Sequence, residues 1–143
     1  MGTVEIESFA VGGPCIRTNN ALEASGAGKL AGLWASYYPS RPPSSEPVYG
    51  VYSDYQSNEM GEYTVTAGTT TGTTEGSVVV VTPGTYLAFR ADGPMPGAII
   101  GAWKAVWDFF SNNPPYERVF STDFERYDGP STATIYIGVK ACG

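Results

Sequence analysis

Residues 98–115 read AIIGAWKAVWDFFSNNPP, and their spacing predicts one amphipathic helix. Ile99, Ala102, Trp103, Val106, Trp107 and Phe110 recur at i, i+3, i+4, i+7, i+8 and i+11, a broad apolar stripe on one side of a helix. Asn112-Asn113-Pro114-Pro115 stops it, because proline lacks an amide hydrogen and its ring clashes with the preceding turn. Outward from this helix, Asp92-Gly93-Pro94 reads as a turn. Before it lies a strand from Val78 to Arg90, broken at Pro83-Gly84 into two strands or one with a bulge. Two more strands follow, Arg118 to Tyr127 and Thr132 to Lys140, joined by Asp128-Gly129-Pro130-Ser131.

The same order occurs upstream. An extended stretch from Val4 to Thr18 is interrupted at Gly12-Gly13-Pro14, and a helix over Gly26 to Tyr38 places Leu30, Leu33, Trp34 and Tyr37 on one face. Pro39, Pro42 and Pro43 end that helix, and strands Val48 to Tyr55 and Tyr63 to Thr70 complete the unit. Leu33-Trp34 matches Ala102-Trp103, and Tyr55 follows Trp34 at the same interval at which Phe124 follows Trp103. These matches predict an α+β fold, a β-α-β-β unit duplicated within a single domain, residues 1–143. The repeats span about 1–72 and 73–143, linked by the Thr- and Gly-rich Thr69 to Gly76. Two such units can pair their antiparallel sheets about a local two-fold axis, with helices outside and a shared cavity between the inner faces.

Composition narrows the chemistry. Eight Lys plus Arg against fourteen Asp plus Glu give a net charge of −6, with the basic residues scattered singly, so direct nucleic-acid binding is not expected. The chain has no histidine, which removes Ser-His-Asp and Cys-His mechanisms and the commonest transition-metal ligand. With only Cys15 and Cys142 there is neither a thiolate zinc site nor a disulfide framework. No phosphate-binding glycine loop occurs, and no cofactor or metal is expected. The absence of a secretory signal or spanning segment, with so few cysteines, suggests a cytoplasmic protein without a membrane partner. Cys15 reads as a small buried hydrophobe, and Asp54 as a solvated strand-end carboxylate.

Ten Tyr, six Phe and three Trp give an aromatic content of 13%, nearly equal to the charged content of 15%. Alternation along Arg118 to Tyr127 puts Val119, Ser121, Asp123, Glu125 and Tyr127 on one face, and Phe120, Thr122, Phe124 and Arg126 on the other. Phe120 and Phe124 suit the helix of Trp103, which leaves Glu125 and Tyr127 facing the cavity, with Tyr136 of the last strand beside them. The pattern does not decide which residues of Val48 to Tyr55 look inward. A carboxylate among tyrosines is costly unless a partner neutralises it, and an organic cation is such a partner. Periodicity equally allows Glu125 to be exposed, or to pair with Arg118, Arg126 or Lys140.

The sequence resembles the GyrI-like effector-binding family, the ligand domain of AraC- and MerR-type multidrug regulators, and is most similar to stand-alone members carried on integron cassettes. The matching stretches include Phe9-Ala10-Val11-Gly12-Gly13, Val48 to Tyr55, Tyr63 to Gly68, Pro83 to Tyr86, Ala102-Trp103, Asp123 to Asp128 and Ile135 to Lys140. The resemblance implies a central hydrophobic cavity in which Glu125 meets cationic ligands, with Trp103 and Tyr136 lining it and Trp34 and Tyr55 as further candidates. Gly138 stands where the family usually has Pro. The expected function is binding of hydrophobic, cationic compounds, with a role in transcriptional regulation or multidrug response. A hydrolase of strained or alkylating molecules, using Glu125 with Tyr127 or Tyr136, and an inhibitor acting on another macromolecule are the alternatives.

Overall fold

A computed structural model describes residues 3–25, 28–40, 47–57, 60–70, 77–95, 97–129 and 131–141. Pro42 and Pro43, Thr71 to Gly76 of the expected link, and Cys142 lie outside them. The amino-terminal stretch is three strands, β1 (Thr3–Ile6), β2 (Phe9–Gly13) and β3 (Cys15–Thr18). Two helices follow, α1 (Asn20–Ala24) and α2 (Leu30–Ser40), then β4 (Val48–Ser53) and β5 (Tyr63–Gly68). The second half comprises β6 (Ser77–Val81), β7 (Gly84–Asp92), α3 (Gly97–Ser111), β8 (Tyr116–Gly129) and β9 (Thr132–Ala141). Among the described residues no helix is long and apolar enough to cross a membrane.

The first helical segment differs from its expected form. It is divided, with Asn19 capping α1 by accepting from the Leu22 amide at 2.7 Å. Its second part starts at Leu30 and runs through Pro39 to Ser40. The second helix ends as its sequence predicts, with Asn113 at φ 50° just past the last turn and Pro114-Pro115 beyond it. Its stripe is rotated, however. Ile99, Ala102 and Val106 are buried, whereas Trp107 is 45% exposed and reaches the fold through a contact with Trp103.

Seven strands form one antiparallel sheet in the order β1-β7-β9-β8-β4-β5-β3, and β2 pairs with β6 in a separate ribbon. About the central β4·β8 ladder, the run β4-β5-β3 on one side mirrors β8-β9-β7 on the other. Helices α2 and α3 cover one face, on side chains such as Tyr63 and Val65 under Leu33, and Leu87 and Ile135 under Val106. The ribbon covers the other face, where Val11 and Val81 pack on Val51, Tyr86 and Phe124. The chain crosses between the layers at Gly12-Gly13, where a Cβ on Gly13 would lie 1.9 Å from the Ala67 carbonyl oxygen.

Because both faces of the central strands are covered, apolar character cannot say which face meets the helices. Phe124 lies under the ribbon, T-shaped to Phe9 and Tyr86, and Glu125 lies under the helices, the reverse of the assignment expected from alternation. An irregularity in β8 adds to this. Between Arg118↔Val139 and Asp123↔Ile137 three more residues are used on β8 than on β9, with Phe120 at φ 56°. An odd insertion exchanges the faces, so Arg118 shares a side with Asp123 and Glu125.

Candidate functional site

Glu125 sits in the central ladder opposite Gly50, 3% exposed, between the two helices. The Trp103 indole nitrogen donates to its Oε2 at 2.6 Å, and the Tyr52 hydroxyl donates to the same oxygen at 3.1 Å. The Tyr127 hydroxyl donates to Oε1 at 2.9 Å. Each donor is neutral. Burial raises the Glu125 pKa above its ordinary value, and the three hydrogen bonds, from Trp103 first, pull it partly back. Tyr52 is held as a phenol well above its usual range, by burial first and then by the Glu125 charge. Among the described residues no cation pairs with Glu125.

Aromatic rings complete the surroundings. Trp34 from α2 meets Tyr127 edge-on at 5.4 Å, and Trp103 from α3 meets Tyr52 at 5.1 Å. The space between them depends on Gly50. A Cβ there would stand 2.8 Å from Glu125 Oε1 and 3.0 Å from Trp34 Cζ2, so any side chain would displace the carboxylate or the indole.

Of the residues singled out from sequence, Glu125, Trp103, Tyr127 and Trp34 come together here. Tyr55 does not join them. Its hydroxyl donates to Asp123 at 2.5 Å, and burial and that carboxylate hold its own pKa well above the usual range. Tyr136 is a correction. It is the ladder partner of Phe124 and stacks on it at 4.7 Å, so it lies on the ribbon face, away from Glu125. Tyr52 and Gly50 were missed, because the facing set of their strand was undecided; only the register Gly50↔Glu125 reveals them.

Asp123 forms a second buried carboxylate centre, 0% exposed. Arg118 Nη2 lies 2.7 Å from Asp123 Oδ2, and the Gly138 amide donates to Oδ1 at 2.9 Å. A proline at 138 would lack that donor. Arg118 also lies over the Phe120 ring at 4.4 Å, but its Nε finds no acceptor. Among the described residues no group of three or more Cys, Asp or Glu side chains is placed to hold a metal ion.

The site therefore combines a buried carboxylate, neutral donors that hold its two oxygens in place, and indole and phenol rings on both flanks. Such an arrangement can receive a positively charged or strongly hydrogen-bonding organic group. Comparison with known proteins agrees with this at the level of the fold and family. The chain is 33% identical to the Vibrio cholerae integron cassette protein VCH_CASS2, whose crystal structure superposes with a TM-score of 0.89 over 97% of this chain and 95% of that one. SAV2435, solved bound to tetraphenylphosphonium, is 16% identical and matches with a TM-score of 0.76 over 97% of this chain and 93% of its own. The Bacillus subtilis (strain 168) protein YobU, named as a candidate transcriptional regulator, is 26% identical over 96% of this chain and 94% of its own. The family model for the integron-associated effector binding protein matches residues 3–139, and the chain belongs to that family of small-molecule binders.

Proposed function

We propose that the chain binds hydrophobic organic cations between α2 and α3, with Glu125 as counter-ion and Trp103, Trp34, Tyr127 and Tyr52 as the aromatic surround. The observation that carries this is a carboxylate 3% exposed that is contacted only by neutral donors. A buried charge kept without a cation is costly, and a guest that supplies one recovers that cost as affinity. Each well-placed ring face adds about 0.5–2 kcal/mol. A net charge of −6 favours the approach of cations over anions. SAV2435 with its bound phosphonium supports the reading by likeness of fold. A cytoplasmic role in the response to such compounds, by sequestration or through a partner regulator, is part of the same proposal.

Tetraphenylphosphonium, titrated while tryptophan fluorescence is followed, tests it. Saturable quenching is expected, and Glu125→Gln, which keeps the shape and removes the charge, should weaken binding about tenfold or more. Equal affinity in the two proteins would end the reading.

A further inference from the structure

Among the described residues one buried side-chain nitrogen or oxygen has no hydrogen-bond partner, and it is Arg118 Nε. The Arg118 side chain is 8% exposed, and Asp123 does not supply the missing acceptor. That carboxylate takes Nη2 on its Oδ2, while its Oδ1 accepts from the Gly138 amide. A guanidinium donor left unsatisfied under cover costs free energy, which an incoming acceptor would recover. Arg118 and Glu125 lie on the same, helix-covered side of the sheet. Their ladder partners Val139 and Ile135 are four residues apart on β9, about 13 Å at about 3.3 Å per residue. Rings bridge the interval. Tyr52 meets Tyr63 at 5.4 Å, Tyr63 meets Tyr55 at 5.9 Å, and Tyr55 meets Phe120 at 5.5 Å, with the Arg118 guanidinium 4.4 Å above the Phe120 ring. Tyr63 senses both ends: burial first, then the Glu23 and Glu125 charges, push its phenol up to about 12, and Arg118 opposes them.

Tyr55 and Phe120 are half-buried, so the run of rings reaches solvent at its Arg118 end. Residues 119–122 have no described ladder partner on β4 or β9, so the Phe120 ring can swing off Arg118 without breaking the sheet. The two poles ask for different chemistry. Glu125 has no cation beside it among the described residues, whereas Arg118 already has its counter-charge in Asp123 and needs only a lone pair. An anion brought to Arg118 would face the Asp123 carboxylate at close range. Resting on Glu125 as the counter-ion, we propose that the preferred guests are elongated hydrophobic cations with a neutral acceptor, a ketone or amide carbonyl, at the far end. Arg118 Nε donates to that carbonyl once the Phe120 ring has moved aside.

Nonyltriphenylphosphonium and its analogue with a ketone next to the last carbon of the tail form the test pair. Tryptophan fluorescence should give the ketone about tenfold the affinity of the plain chain, as for one bond from a charged donor. In ¹⁵N-arginine-labelled protein the Arg118 Nε proton should move downfield on saturation with the ketone and stay in place with the plain chain. Arg118→Lys sets a methylene where Nε was and keeps a cation for Asp123, and the two compounds should then bind equally. Glu125→Gln should weaken both compounds alike, so the two readings fail separately. Equal affinities in the parent protein, a stationary Nε proton, or a ketone preference that survives in Arg118→Lys would each overturn the proposal and leave the counter-ion reading standing. Should Arg118→Lys fail to fold, the two measurements on the parent protein decide. Saturable binding of neither compound would end both readings.

Discussion

Asp123 and Glu125 point to the same side of one strand, two residues apart, and are both buried, yet the protein treats them oppositely. Asp123 is neutralised within the fold by Arg118, and the Tyr55 hydroxyl and the Gly138 amide also donate to it. Glu125 receives only Tyr52, Trp103 and Tyr127, which orient its oxygens without cancelling the charge. One carboxylate is a closed structural unit, and the other is left open electrostatically. On the proposed function, the contrast separates a group that serves folding from one that remains available to a guest.

The sharpest way to break this comparison is to remove one partner from each centre. Arg118→Met strands Asp123 as an uncompensated buried charge and should cost about 3–5 kcal/mol in denaturant unfolding. Glu125→Gln, by the same measurement, should stay within about 1 kcal/mol of the parent or exceed it, because no ion pair is lost. Comparable losses at both positions would mean that Glu125 is structural. Trp103→Phe comes next. It takes away one donor to a charged acceptor, which should lower stability by about 1.5 kcal/mol and push the Glu125 pKa further up.

The smallest effect is a slope with pH. The Glu125 carboxyl is raised above its ordinary value in the folded state, so between the two values the native protein holds more protons than the unfolded chain. This contribution to stability is fully present below the ordinary carboxylate value and is lost as pH rises through the raised one, by at most about 1.4 kcal/mol per unit. Cation affinity should run the other way over the same window, rising as the carboxyl ionises. Denaturant unfolding and phosphonium titrations across that range check the two signs, and both trends should vanish in Glu125→Gln.

Much of this architecture could be read beforehand, and the failures have physical causes. The helix carrying Trp103, the break at Pro83-Gly84 and the order of elements follow from periodicity and turn chemistry, which are local. Glu125, Asp123 and Tyr127 were placed on one side correctly because alternation holds after Asp123. The side itself was misassigned, since a strand covered on both faces has apolar residues on each. Arg118 was considered as a partner for Glu125 and instead takes Asp123, a consequence of the irregularity at Phe120 that no local pattern announced. The distribution of β1, β2 and β3 among three different partners was equally hidden, because ladder partners are a non-local property.

That distribution has a consequence for how the molecule comes into being. Thr3 must wait for Leu87, 84 residues later, before its ladder can close, and β2 must wait for β6. On a ribosome the leading half emerges with β4 lacking β8 at the seam, so it cannot finish assembling alone. The two halves are thus bound to a single, late and concerted event, and a truncated product would offer unsatisfied strand edges to aggregation or to proteases.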